Sequence, residues 1–316
     1  MKDSYGREID YLRVSVTDRC NLRCMYCMPP DGVRKLAHDD ILSFEEIAEI
    51  AGAAVRLGIR KIRLTGGEPL LRQGIIDLTG MLSALPGLEE LTLTTNGLLL
   101  PRMARGLKAA GVSRVNISLD TLDPTKYVRI TRGGNLTEAL SGIRAAEEAG
   151  LTPVKLNTVL IGGFNDDEIP AFAELTRARP LEVRFIELMP MVPGCFTPEA
   201  YIGGQTVLDR LPELIALESR DGIGEMFRLP GCKGRIGLIR PVTRPFCDFC
   251  SRLRLTSDGK LKTCLHTNDE YPLRGLHGTC LTDALASAIA QKPKVRGEFR
   301  TDAIPRRVRN MNQIGG

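Results

Sequence analysis

The 316-residue chain is long enough for one large α/β domain with an appendage, and its 43% apolar content can fill a substantial core. A net charge of +5, scattered along the chain, gives no concentrated nucleic-acid patch and favours, at most, an anionic small molecule. There is no run of about 18 apolar residues, and the first ten residues are charged, so neither a membrane span nor a signal peptide is expected and the expected setting is the cytoplasm.

From Tyr11 to Met189 one pattern recurs: a short β-rich run, a polar loop, then a helix-like stretch. The predicted strands are Tyr11–Val16, Lys61–Leu64, Glu90–Leu93, Arg114–Leu119, Pro153–Leu160 and Glu182–Leu188. Between them, Ser43 to Leu57 reads as a helix whose N-cap Ser43 and following Glu46 form a capping-box pattern. Asn135 to Ala149 is another, closed by Gly150. Strands alternating with helices imply parallel strands and right-handed crossovers. The fold expected is an incomplete six-unit (β/α) parallel barrel over residues 1–234, with a C-terminal cluster-binding region over 235–316. Residues 190–234 are rich in Pro and Gly, with one helix-like piece around Thr206–Leu217.

Parallel strands covered on both faces usually read as continuous apolar runs; these alternate. Leu12, Val14 and Val16 oppose Arg13, Ser15 and Thr17; Ile62 and Leu64 oppose Arg63 and Thr65; Val154 and Leu156 oppose Lys155 and Asn157. Helices must cover the apolar face, so the polar face turns to the lumen. Polar groups buried there without partners cost about 1–3 kcal/mol each. The lumen is therefore expected to be wet or to hold a polar ligand. Arg13, Arg63 and Lys155 place three cations in it, which suits a phosphorylated molecule.

Nine cysteines in a cytosolic chain argue for metal rather than for a disulfide framework. Cys20, Cys24 and Cys27 have the spacing C-x3-C-x2-C just after the first strand. Thiolates bind both zinc and iron–sulfur clusters. Structural zinc wants four ligands, and the nearest other donor, His38, lies beyond Pro29-Pro30. Three thiolates on a four-iron cluster leave one iron open to a small molecule. Cys247, Cys250 and Cys264 repeat the device with spacing C-x2-C-x13-C, His266 and His277 being within reach as a fourth zinc ligand. Arg252 and Arg254 alternate along a strand beside it. Thr65-Gly66-Gly67-Glu68-Pro69, Thr94-Thr95-Asn96-Gly97 and Ser118-Leu119-Asp120 follow the second, third and fourth strands. Loops at those ends converge on one mouth. The two glycines let backbone approach a ligand, and Glu68 offers an acceptor for an ammonium.

C-x3-C-x2-C with Tyr26 before its last cysteine resembles the signature of the radical S-adenosylmethionine enzymes, and Thr65–Pro69 resembles their methionine-binding loop. That resemblance implies a [4Fe-4S] cluster whose open iron is chelated by the methionine moiety, with cleavage to a 5′-deoxyadenosyl radical. Two three-cysteine groups with Gly315-Gly316 resemble, more narrowly, the GTP 3′,8-cyclase family of molybdenum-cofactor biosynthesis. It implies a second [4Fe-4S] cluster that binds the guanine base. It implies conversion of GTP to (8S)-3′,8-cyclo-7,8-dihydroguanosine 5′-triphosphate. It also implies Tyr26, Gly67, Ser118 and Met189 as contacts to S-adenosylmethionine, and Arg13, Arg63, Thr94, Lys155, Arg252, Leu253 and Arg254 as contacts to GTP. The Gly315-Gly316 tail is implied to reach into the active site, where only glycine could thread beside a ligand. An electron donor is expected as a partner, with a homodimer and hand-over to the next pathway enzyme left open, and no nucleic acid or membrane. The segment Pro190–Phe196 departs from the family form, and Cys195, Cys232 and Cys280 match no cluster position. Two other readings fit parts of the pattern: an enzyme of the same superfamily acting on a peptide, and a zinc-stabilised binding module without catalysis.

Overall fold

The alternating runs form the predicted strands nearly residue for residue in the computed structural model, which describes residues 1–191, 197–218, 223–296 and 309–315. They are β1 (Tyr11–Ser15), β2 (Lys61–Thr65), β3 (Glu90–Thr95), β4 (Arg114–Ser118), β5 (Lys155–Leu160) and β6 (Glu182–Glu187). The helices between them are α1 (Phe44–Arg56), α2 (Ile75–Ser83), α3 (Leu100–Ala109), α4 (Pro124–Thr131), α5 (Leu136–Glu148) and α6 (Ile169–Glu174). Ser43 caps α1 in a reciprocal box with Glu46, as its spacing predicts. Asn135 caps α5 through Thr137 N–H.

The later part of the chain adds α7 (Gln205–Arg210), β7 (Ile215–Leu217), β8 (Glu225–Arg228), β9 (Arg235–Ile239), β10 (Arg252–Leu255), β11 (Lys260–Lys262), β12 (Tyr271–Pro272) and α8 (Gly278–Ala290). The helix expected over Thr206–Leu217 is corrected: it ends at Arg210, and Ile215–Leu217 pairs antiparallel with β8. Pro212 cannot continue the hydrogen-bonded turns, so the chain leaves the helix there.

All twelve strands form one sheet in the order β12-β11-β10-β1-β2-β3-β4-β5-β6-β9-β8-β7. Every pairing from β10 to β9 is parallel, and β12 and β7 lie at opposite edges, so the sheet is an open, incomplete barrel. The two parallel strands beyond the expected six are β9, beside β6, and β10, beside β1. The C-terminal residues thus extend the sheet at both ends.

The apolar face meets the helices through Leu12, Val14, Ile62, Leu64, Leu93, Val115, Ile117, Leu156 and Phe185, all buried. The polar face is withdrawn from water too: Arg63, Thr65, Thr92 and Asn116 are 8, 1, 2 and 0% exposed. No helix among the described residues is long and apolar enough to cross a membrane.

Candidate active site

After β1 the chain leaves the sheet and forms the first cysteine loop. Short local bonds shape it: Cys27 N–H donates to Cys24 O at 2.9 Å and Leu22 N–H to Cys20 Sγ at 3.4 Å. The end of α4 fastens it from below, with Arg23 and Met25 N–H donating to Thr131 and Ile130 carbonyls at 3.0 Å each. Arg132 adds bonds from its Nη1 to the Arg23 and Met28 carbonyls. Tyr26 donates its hydroxyl to Asp120 Oδ2 at 2.7 Å, tying the loop to the end of β4.

Gly66 and Gly67 lie against that loop. A Cβ on Gly66 would stand 2.6 Å from Thr17 O, and one on Gly67 would stand 2.3 Å from Arg19 O. Close approach to protein backbone therefore already demands these glycines, before any ligand is considered. Glu68 differs from its expected use. Its Oε1 accepts from Leu70 N–H and the Thr95 hydroxyl, and its Oε2 from Asn96 N–H. It braces the second loop against the third, and burial pushes its carboxyl up to about 7. Burial likewise raises Asp120 to about 6. Asn96 Nδ2, donating to Asn21 Oδ1 at 2.8 Å, completes the seam.

The second triad lies on the far side of β1. Cys247 and Cys250 flank a single 3₁₀ turn, and Cys264 follows β11. Arg296 N–H donates to Cys247 Sγ at 3.3 Å and His266 N–H to Cys264 Sγ at 3.4 Å. Lys292, almost fully buried, donates to the Arg252 carbonyl at 2.8 Å and also to Cys250. Burial raises the Cys250 thiol, but Lys292 and Arg252 outweigh it and hold it below its usual range.

Between the triads the sheet aligns its arginines. Arg254 pairs in register with Arg13, Arg13 with Arg63, and Arg252 with Tyr11. Burial first, then the charge of Arg254, disfavours the cationic form of Arg13. An anion arriving there relieves both effects. A cavity of about 300 Å³ spans this wall and reaches both triads. It is lined by all six triad cysteines, by Tyr26, Gly67, Ser118 and Met189, and by Arg13, Arg63, Thr94, Arg252 and Arg254.

Three predicted residues stand apart. Lys155 is outside the lining and ion-paired to Glu182 at 3.0 Å. The side chain of Leu253 is fully buried in the apolar core on the other face of β10. Gly316 lies outside the described residues, as does Cys195. Gly315 packs on the lumen: its carbonyl accepts from Arg254 Nη1, and a Cβ there would stand 2.2 Å from Thr65 Oγ1. Arg309 fastens this segment through Glu270 at 2.5 Å and Asp258 at 2.7 Å. Asn312 gives its Nδ2 to the Asp18 carbonyl at 3.0 Å and its backbone N–H to Cys27. Cys232 is buried and Cys280 exposed.

The donor set fits iron–sulfur clusters. Sulfurs in each triad receive backbone N–H donors, as cluster thiolates do. Burial pushes the Cys20 thiol up to about 11 and Cys27 up to about 12, so thiolates there call for a cation. A single zinc ion would gather its ligands to about 2.0–2.3 Å. Among the described residues no three Cys, His, Asp or Glu side chains are grouped to hold one ion.

Two family models match the chain. Residues 14–176 match the radical SAM superfamily, and residues 181–298 match the molybdenum cofactor synthesis C-terminal family. The chain is 54% identical to a GTP 3′,8-cyclase of Peptoclostridium acidaminophilum over 99% of its own length and 98% of that protein. It is 49% identical to one of Moorella thermoacetica over the whole of both. The chain belongs to the GTP 3′,8-cyclase family. Among solved structures, Streptococcus suis SuiB bound to S-adenosylmethionine shares the fold, with a TM-score of 0.64 at 12% identity. The match covers 88% of this chain, which spans 63% of that one. Family membership brings two [4Fe-4S] clusters and S-adenosylmethionine as cofactors. Asn96 and Asn312 also line the cavity, and Asp120 acts through Tyr26; Asn96 and Asp120 sit in the loops after the third and fourth strands, whereas for Asn312 only its place near the paired glycines hinted at a role.

Proposed function

We propose that this chain cyclises GTP to (8S)-3′,8-cyclo-7,8-dihydroguanosine 5′-triphosphate, the first step of molybdenum-cofactor biosynthesis. The observation that carries the reading is the single cavity reaching both cysteine triads across the row Arg254–Arg13–Arg63. When bound, the first cluster with S-adenosylmethionine supplies the group that takes hydrogen from C3′ of the ribose. That carbon bonds to C8 of guanine, and one electron and one proton complete the ring.

The protein holds the reactants and excludes water and oxygen. Cys20, Cys24 and Cys27 hold the first cluster, with Tyr26, Gly67, Ser118 and Met189 around S-adenosylmethionine. Cys247, Cys250 and Cys264 hold the second beside the base. Arg13, Arg63, Thr94, Lys155, Arg252 and Arg254 hold the nucleotide, Leu253 contributing backbone alone because its side chain is in the core. Lys155 would leave Glu182 or share it on meeting a phosphate. The tail carrying Gly315, which packs beside Thr65, serves the reacting centre. The electrons come from a donor outside the chain, and the reducing cytoplasm is the setting. In the rival peptide-modifying reading nothing explains the arginine row.

Anaerobic incubation with GTP, S-adenosylmethionine and reductant tests this. Consumption of GTP with stoichiometric 5′-deoxyadenosine supports it. Tight zinc with little iron, or an untouched nucleotide, contradicts it.

A further inference from the structure

The cavity wall between the arginines and Ser118 carries two amides, Asn116 and Asn157, that no role above uses. Asn116 on β4 is fully buried. Its Oδ1 accepts from Arg114 Nη1 at 3.1 Å, and Arg114 Nε donates to Glu90 Oε1 at 2.7 Å. This relay orients the amide: its oxygen must meet the guanidinium, so its NH2 turns the other way. That Nδ2 has no hydrogen-bond partner among the described residues. Thr94, paired with Asn116 across the sheet, has a buried Oγ1 in the same condition, and so has Asn157 Oδ1 on β5. All three residues line the cavity.

An unpaired buried polar atom costs about 1–3 kcal/mol, so three on one wall mark a place completed by a ligand. Their chemistry restricts it. Asn116 offers a donor, Asn157 an acceptor, and Thr94 both. A phosphate oxygen accepts only and would leave Asn157 Oδ1 unmet. A sugar hydroxyl both donates and accepts.

We propose that Asn116, with Thr94 and Asn157, is the ribose-hydroxyl site of the nucleotide substrate, and that Glu90 and Arg114 are its positioning residues. The sugar concerned is that of GTP, because Asn116 is in register with Thr94 on one side and Lys155 on the other. This deepens the GTP reading and rests on it: the same wall would fix the C3′ edge of the sugar where hydrogen leaves.

The test is a set of equilibrium dissociation constants on the anaerobically reconstituted enzyme for GTP, 2′-deoxyGTP, 3′-deoxyGTP and S-adenosylmethionine. The unaltered enzyme prefers GTP to at least one deoxy analogue about tenfold, one good hydrogen bond to a buried donor. Asn116→Ala brings that ratio close to one and leaves S-adenosylmethionine affinity unchanged. Asn116→Asp, of the same shape, keeps the bond from Arg114 but donates nothing, and gives the same loss if the alanine variant fails to fold. An unchanged ratio in these variants overturns the proposal. So does a fall in S-adenosylmethionine affinity with GTP affinity intact, which would give the site to the other nucleoside. Failure of the unaltered enzyme to bind GTP at all would overturn the functional reading itself, and this inference with it.

Discussion

Lys155 sits 3.0 Å from Glu182, and Arg184 shares the same carboxylate. Burial first, then the charge of Arg184, pulls its ammonium down to about 8. Its charge is therefore complete below that pH and lost as pH rises through about 8. If Lys155 meets the terminal phosphates, GTP affinity falls between pH 7 and 9. Lys155→Arg removes that pH dependence, and Lys155→Ala weakens GTP about tenfold more than GDP. Calorimetric titrations across pH check all three; a flat profile for the unaltered enzyme would take Lys155 off the triphosphate. Tyr26→Phe leaves Asp120 Oδ2 without its donor and should cost about 1–3 kcal/mol in denaturant unfolding. At this scale the sequence was legible where residues act within their own strand: the alternation turned Arg13, Arg63 and Lys155 to the lumen, and the cavity is lined by the two arginines, whereas Lys155, held by Glu182 at 3.0 Å, lies outside its lining. It was illegible for Glu68, whose partners Thr95 and Asn96 lie on another loop, and for Lys292, whose acceptors come from β10 and from beyond β11.

The elements divide by how their order is set. α1 and the six central strands follow from capping and period-two alternation, both local signals. β9 and β10 do not, because nothing within them says which edge they join. The piece from Thr206 to Leu217 was misread because an apolar run split by Pro212 is short in either state. The segment carrying Gly315 owes its place to distant anchors: Arg309 on Glu270 and Asp258, and Asn312 on Asp18. Arg309→Ala removes the clasp from two partly buried carboxylates. Protease sensitivity of the segment after 308 should rise, and formation of the cyclic product should fall at least tenfold, on the order of the 1–3 kcal/mol held by such charge-assisted bonds. Unchanged proteolysis and product would mean that Asn312 and the lumen contacts suffice. Cys264→Ser opens the second triad alone. Residual 5′-deoxyadenosine with no cyclic nucleotide is expected; unchanged product would contradict the role given to that triad.

Across the molecule, one open sheet does two jobs. Its outer face is closed by helices, and its inner face gives the arginine-lined wall of a cavity that both cysteine triads also line. Two four-iron clusters require about eight iron per reconstituted chain, against about four if one triad were idle. The proposed reaction takes hydrogen from C3′ of GTP inside this cavity. Turnover of GTP deuterated at C3′, with S-adenosylmethionine and reductant under anaerobic conditions, tests it most directly. The 5′-deoxyadenosine formed is expected to be one mass unit heavier, and the cyclic nucleotide to have lost the label. Unlabelled 5′-deoxyadenosine, or a product that keeps the deuterium at C3′, would contradict it.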